Sequence, residues 1–275
     1  MRLDFSAATP SPRRGYGQRL DSRFMIGSAG YPSPDVLAHA ITASGAQVVT
    51  VGLKRELAGT AAPHAGDAVT LLRGVCETAG ARLLPNTAGC RSAREAVLLA
   101  QMARELFDTS WIKLEVIGDE HTLQPDPFEL VDAASHLVKL GFHVFPYCTD
   151  DLVVCRRLLA VGCEVLMPWA APIGSGLGLL DPAALRTLRA RLPGVPMIVD
   201  AGLGAPSHAA FAMELGYDGV LLNSAVAQSV NPPHMAMAFA HAVAGGRLGY
   251  EAGLIAPQDM ARPSTPCGNE PILVD

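Results

Sequence analysis

Short apolar runs recur eight times along this chain, and each is followed by a stretch with helix start and stop signals. The runs are Phe24–Gly27, Val48–Leu53, Arg82–Pro85, Trp111–Val116, Val144–Tyr147, Val165–Met167, Val195–Val199 and Val220–Leu222. Between them, Pro32-Ser33-Pro34 opens a helix through Ala43 that closes near Gly45, and a second helix falls within Asp67 to Thr78. Ser92 and Glu95 form a capping box for a third, running to about Phe107. Pro127 to Gly141, a segment capped by Asp151, Pro182 to about Arg191, Pro206 to Leu215 and Pro232 to Ala244 supply the remainder. Eight strand-then-helix units predict an α/β fold: a closed parallel (β/α)₈ barrel of the TIM type in a single domain. An open doubly wound sheet is the competing arrangement. Its dinucleotide fingerprint is missing, because Gly27-Ser28-Ala29-Gly30 has the wrong spacing.

The 275 residues, 49% of them hydrophobic, suffice for one large core. The expected division is a flexible leader over 1–20, a catalytic barrel over 21–250, and a proline-rich tail over 251–275 that lies over the barrel mouth or is partly disordered. A net charge of −5 without a basic block argues against nucleic acid as a partner. No apolar run approaches the ~20 residues of a membrane span. Met1 to Tyr16 lacks an apolar signal core, so a cytoplasmic protein is expected. Cys76, Cys90, Cys148, Cys155, Cys163 and Cys267 are scattered, which suits free thiols in a reducing compartment. The histidines, among them His39, His121, His136, His208 and His241, form no ligand motif and fit helix or loop surfaces. Neither a metal nor a cofactor is expected.

One strand carries charge. In Trp111-Ile112-Lys113-Leu114-Glu115-Val116, side chains alternate faces, so Lys113 and Glu115 point one way and Ile112, Leu114 and Val116 the other. An amine in an apolar pocket loses hydration, which disfavours the ammonium. The neutral amine attacks ketones to form imines, and a neighbouring carboxylate can move the protons. A buried ion pair that only holds the fold is the alternative. In a barrel, chemistry sits at the carboxyl ends of the strands. There Asp200 is a second proton carrier or, alternatively, an N-cap or loop brace. The glycine-rich stretches Ala171–Gly178 and Ala201–Gly204, with Asn223 and Ser224, offer backbone donors for an anion. Asn86 and Thr87 close the third strand and bind substrate or brace the turn. Lys54 and Arg55 close the second as possible anion contacts. Together these residues read as a barrel that takes a phosphorylated carbonyl compound and forms an imine on Lys113.

Six stretches then carry a resemblance: Leu84–Cys90, Trp111–Val116, Leu123–Pro127, Ala171–Ser175, Val199–Gly202 and Leu222–Ser224. In sequence and order they resemble the bacterial thiazole synthases of thiamine biosynthesis, from about Ser22 to about Pro266. Met260–Pro266 is similar to the tail of one branch of that family. The resemblance implies condensation of 1-deoxy-D-xylulose 5-phosphate, dehydroglycine and sulfur from the thiocarboxylated C-terminus of a small sulfur-carrier protein. It implies Lys113 as the imine-forming lysine, Glu115 and Asp200 as proton carriers, and Gly174, Ala201, Gly202, Asn223 and Ser224 as the sugar-phosphate site. A homo-oligomer is expected. The chain departs from the family pattern at Ala170, where glycine is usual, and at Ser224, where threonine is usual. Two rival readings are another imine-forming barrel enzyme acting on a different sugar phosphate, of thiosugar synthase or aldolase type, and a non-catalytic barrel that docks the carrier protein.

Overall fold

The computed structural model describes residues 3–4, 19–54, 65–262 and 264. Eight parallel strands build the barrel: β1 Phe24–Gly27, β2 Val48–Gly52, β3 Arg82–Asn86, β4 Trp111–Leu114, β5 His143–Cys148, β6 Met167–Pro168, β7 Ile198–Asp200 and β8 Gly219–Leu222. Around them run α1 Pro34–Ser44, α2 Ala65–Thr78, α3 Ala93–Phe107, α4 Pro127–Lys139, α5 Leu152–Ala160, α6 Pro182–Arg191, α7 Pro206–Glu214, the short α8 Ser224–Ala227 and α9 Pro232–Ala252. The ladder order is β6-β5-β4-β3-β2-β1-β8-β7. Between β6 and β7 the Ile198 N–H donates to the Leu166 carbonyl at 3.0 Å and the Leu166 N–H to the Pro196 carbonyl at 3.1 Å, which closes the ring.

The sequence places the elements for local reasons. Ser33, Ser92, Asp126, Asp151 and Asp181 each accept from N–H groups in the first turn of the following helix, and a proline at N1 or N2 presets φ in α1, α4, α6, α7 and α9. In the Ser92 cap, the Glu95 carboxylate takes the Arg91 N–H at 2.8 Å, one residue further back than a capping box requires. β4 is shorter than its apolar run because the chain past Leu114 finds other partners. The Glu115 N–H donates to the Thr87 hydroxyl, the Ile117 N–H to the Cys90 carbonyl, and the Val116 carbonyl accepts from Asp126.

Strand alternation sorts the core into two shells. Met25, Val48, Leu84, Trp111, Phe145, Val165, Met167, Ile198 and Leu221 fill the barrel interior. Ile112, Leu114 and Val116 face outward into the layer shared with the helices. Each fully buried aliphatic contributes about 1.5–3 kcal/mol, so the interior below the mouth is a tightly held apolar plug.

α9 outruns its expected end at Ala244 by eight residues, although Gly245, Gly246 and Gly249 read as breakers. The reason is close packing: a side chain at Gly246 would overlap the Ala210 carbonyl, so the glycine lets α9 lie directly on α7. α9 starts at the mouth and reaches the opposite end, where Arg247 donates to the Tyr217 carbonyl just ahead of β8. The described tail, residues 253–262, therefore leaves the barrel at the end away from the mouth, and it is exposed throughout. Most of Ala261–Pro271, the part expected over the mouth, lies outside the described residues. Of the leader, Leu3–Asp4 pairs antiparallel with Arg19–Leu20; the remainder lies outside the described residues. No helix among the described residues is long and apolar enough to cross a membrane.

Candidate active site

Above the apolar plug lies a cavity of about 810 Å³, open at the carboxyl ends of the strands. Lys113, Glu115 and Asp200 stand at its base, each with under 5% of its surface exposed. The Lys113 Nζ donates to Glu115 Oε1 at 2.8 Å and lies 2.7 Å from Asp200 Oδ2. The second contact is off the direction of a good hydrogen bond, so it is ionic more than directional. β4 supplies the lysine and the residues just after it the glutamate. Thr87 fixes the glutamate's backbone from both sides: its hydroxyl donates to the Glu115 carbonyl and accepts from the Glu115 N–H, both at 2.8 Å. Thr87 is thus a brace, while Asn86 lines the cavity.

The electrostatics correct one expectation. Burial favours the neutral amine, but the charges of Asp200 and Glu115 outweigh it, and Lys113 is held above the ordinary lysine range. The resting residue is an ammonium clamped by carboxylates, and such an amine can act as a nucleophile only after losing a proton. Asp200 offers a destination: burial raises its carboxyl to about 6 against the opposing pull of Lys113. The alternative reading of Asp200 as a helix N-cap does not apply, since its carboxylate faces Lys113 inside the barrel and α7 is capped at Ala205.

Gly174, Ala201, Gly202, Asn223 and Ser224 all reach the same cavity from three loops. Ala201 adopts φ 69°, a left-handed conformation that strains a residue with a Cβ. It turns the chain directly after Asp200. Gly202 at φ 76° packs on the backbone of Ala171, and the Gly178 N–H donates to the Gly202 carbonyl at 2.8 Å. A side chain at Gly204 would overlap the Gly176 carbonyl, so the loops after β6 and β7 form one stacked wall. The N–H groups of Gly202, Ser224 and Ala225 take no acceptor among the described residues and border the cavity. Asn223 donates to the Ala29 carbonyl at 2.8 Å, pinning the loop after β1.

Several residues behave differently from their sequence reading. Lys54 turns away to the Gly89 carbonyl and Glu95, and is no part of the cavity wall. Arg55 lies outside the described residues. His208 is more than a surface residue: its Nδ1 accepts from the N–H groups of Gly204 and Ala205 at 3.1 and 3.3 Å, capping α7 where Ala205 has no side-chain acceptor. Gly27, Thr50 and Arg91 also line the cavity, and Tyr147 presents its ring to Lys113, with the Nζ 5.3 Å from the ring centre. Period-two alternation along β2 and β5 was the available signal for Thr50 and Tyr147. Cys90, Cys148, Cys155 and Cys163 face the outer helix layer and none lines the cavity.

Known proteins resemble this chain over most of its length. The profile of the family described as "Thiazole biosynthesis protein ThiG" matches residues 15–266. A thiazole synthase of Coxiella burnetii (strain RSA 331 / Henzerling II) is 55% identical over 259 residues, covering 94% of this chain and 97% of the relative. One of Rhodopseudomonas palustris (strain BisA53) is 58% identical over 251 residues, covering 91% and 94%. Among solved structures, the Amycolatopsis orientalis BexX/CysO complex contains a similar chain, with a TM-score of 0.76 and 30% identity over 89% of this chain and 96% of that one.

Proposed function

This chain belongs to the ThiG family of thiazole biosynthesis proteins and its activity is thiazole synthesis in the thiamine pathway; we propose that it proceeds through an imine between Lys113 and a ketose phosphate. The observation that carries this reading is the buried ammonium held 2.8 and 2.7 Å from two buried carboxylates at the base of an open cavity. A lysine kept only for structure has no need of a solvent-connected chamber above it. In the proposed sequence, Asp200 accepts a proton from Lys113, and the freed amine attacks the carbonyl of 1-deoxy-D-xylulose 5-phosphate. The carbinolamine then loses water, with a carboxylic acid of the pair protonating the departing hydroxyl. The phosphate rests on the wall formed by Gly174, Ala201, Gly202, Asn223 and Ser224, where backbone donors meet it without a bulky cation.

Dehydroglycine supplies the nitrogen and the remaining carbons. The sulfur comes from outside the chain, on the thiocarboxylated tail of a small carrier protein. An extended tail fits a mouth that a folded domain cannot enter, and the Amycolatopsis chain of similar fold was itself solved with a protein partner, CysO. In this reading residues 21–250 are the catalytic barrel, flanked by a leader and a tail, and the chain works as a homo-oligomer. The test is borohydride reduction in the presence of the ketose phosphate, followed by peptide mass analysis. The reading expects one substrate mass on the peptide that holds Lys113. An adduct on another residue, or none, removes it, and an adduct formed preferentially with a different sugar phosphate points to another imine-forming enzyme.

A further inference from the structure

Imine formation changes the number of hydrogen-bond donors at the base of the cavity. The ammonium of Lys113 has three N–H groups and contacts both Glu115 and Asp200. A protonated imine has one. When the carbon–nitrogen bond forms and water leaves, the nitrogen keeps its charge but has one N–H, so one of the two buried carboxylates is left without a hydrogen-bond donor, which is disfavoured in a buried site. That carboxylate must either take up a proton or find another donor.

Tyr147 carries the nearest candidate group with an unused donor. It sits on β5 with none of its surface exposed. Its ring packs with Ala201, the residue after Asp200, and with Ile117, two residues past Glu115. The Lys113 Nζ lies 5.3 Å from the ring centre, on the β5 side of the strand that carries it. Its hydroxyl is buried and has no hydrogen-bond partner among the described residues. Buried phenols nearly always find one, so an orphaned hydroxyl on the ring that faces Lys113 calls for a role. Burial together with the nearby carboxylates holds the phenol above its ordinary range, so it stays a donor at working pH.

We infer that Tyr147 is a positioning residue: its hydroxyl donates to the carboxylate that imine formation strands, and its ring face steadies the positive charge on the Lys113 nitrogen. This rests on the imine reading above. Tyr147 does not line the cavity, so it acts through the carboxylates and the lysine and not on the substrate. No atom is transferred from it: the hydroxyl changes from an unpaired to a paired state as the lysine loses donors.

The experiment is the pH dependence of the borohydride-trapped adduct, using 1-deoxy-D-xylulose 5-phosphate as probe, in the wild-type chain and in Tyr147→Phe. The ring is kept in that variant, so the fold and the ring-face contact persist. Without the hydroxyl, the stranded carboxylate must stay protonated, which becomes harder as pH rises. The trapped fraction in Tyr147→Phe should match wild type near pH 6 and fall about tenfold below it near pH 8, the size of one charged hydrogen bond. Ring-fluorinated tyrosine at this position, a stronger donor, should recover or extend the wild-type alkaline range. An identical profile in Tyr147→Phe overturns the inference, and so does an equal loss at every pH, which is what a packing defect gives. Wild-type protein that forms no Lys113 adduct at any pH is a different result: it removes the imine reading itself, and this inference with it.

Discussion

At the lower end of the barrel, Asp218 accepts from the Arg189 guanidinium at 3.0 Å and from the Met197 N–H at 2.9 Å, and Arg23 donates to the Asp218 carbonyl at 2.7 Å. Arg189 also donates to the Leu192 carbonyl at 2.7 Å. Three of these four contacts end on backbone: at Met197 just ahead of β7, at Asp218 just ahead of β8, and at Leu192 after α6. At the upper end, Lys113 meets two carboxylates and a ring face, and its Nζ holds no backbone carbonyl among the described residues. The lower pair is half-buried and anchored to the chain, while the upper group is fully buried and anchored to itself. Charged groups wired to backbone hold strands in register. Charged groups wired to one another at the base of a cavity can exchange a proton without loosening the fold.

The sharpest way to break this contrast is Lys113→Ala. It should abolish the borohydride-stable adduct and lower turnover by about 10⁴-fold or more, as removal of a covalent nucleophile does. Residual adduct on the same peptide would place the reactive amine elsewhere. Next in size, Glu115→Gln and Asp200→Asn should lower turnover by about 10² to 10⁴ while still forming adduct, measured by steady-state rates beside trapping. Asp200 carries a further signature in pH. Its carboxyl stands at about 6 and must be ionised to accept the Lys113 proton. Adduct formation in the wild type should therefore rise with pH through about 6, and Asp200→Asn should lack that rise.

A smaller effect probes the loop wall. Gly202→Val is a poor probe, since Gly202 has φ 76° and its Cβ would press on Ala171, so any loss could come from the fold. Ser224→Asp adds a negative charge at the proposed phosphate site and should raise the sugar-phosphate KM by about tenfold or more through like-charge repulsion, with far-UV circular dichroism unchanged. An unchanged KM moves the phosphate to another part of the wall. The smallest effect on catalysis belongs to the lower end. Asp218→Asn should lower stability by about 2 kcal/mol and the melting temperature by several degrees, with turnover per folded molecule unaltered. A loss of turnover without a loss of stability would erase the distinction between the two ends.

The barrel was legible because its signals are local and repeated: the apolar runs, the caps at Ser92 and Asp151, the prolines opening helices. Lys113 and Glu115 were legible because charge in an apolar run is conspicuous, and Asp200 because it ends one. Three things were not. The protonation state of Lys113 depends on how close Asp200 comes, and Asp200 is far off in sequence on another strand. Tyr147 looked like one more apolar residue of β5, since nothing local says that its hydroxyl finds no partner among the described residues. The length of α9 was hidden because Gly246 is a helix breaker by composition and a contact surface in the fold.

The apolar plug of Met25, Leu84, Trp111, Phe145 and their neighbours makes the chamber blind at its base, and that imposes an order of traffic. A reactant that must reach Lys113 has to arrive before anything that fills the space above it. In the proposed reaction the ketose phosphate is then the first guest and the sulfur donor a later one, and product leaves by the route through which both came. Each turnover ends only when the doorway clears, so a stalled carrier tail acts as a stopper on the entire cycle.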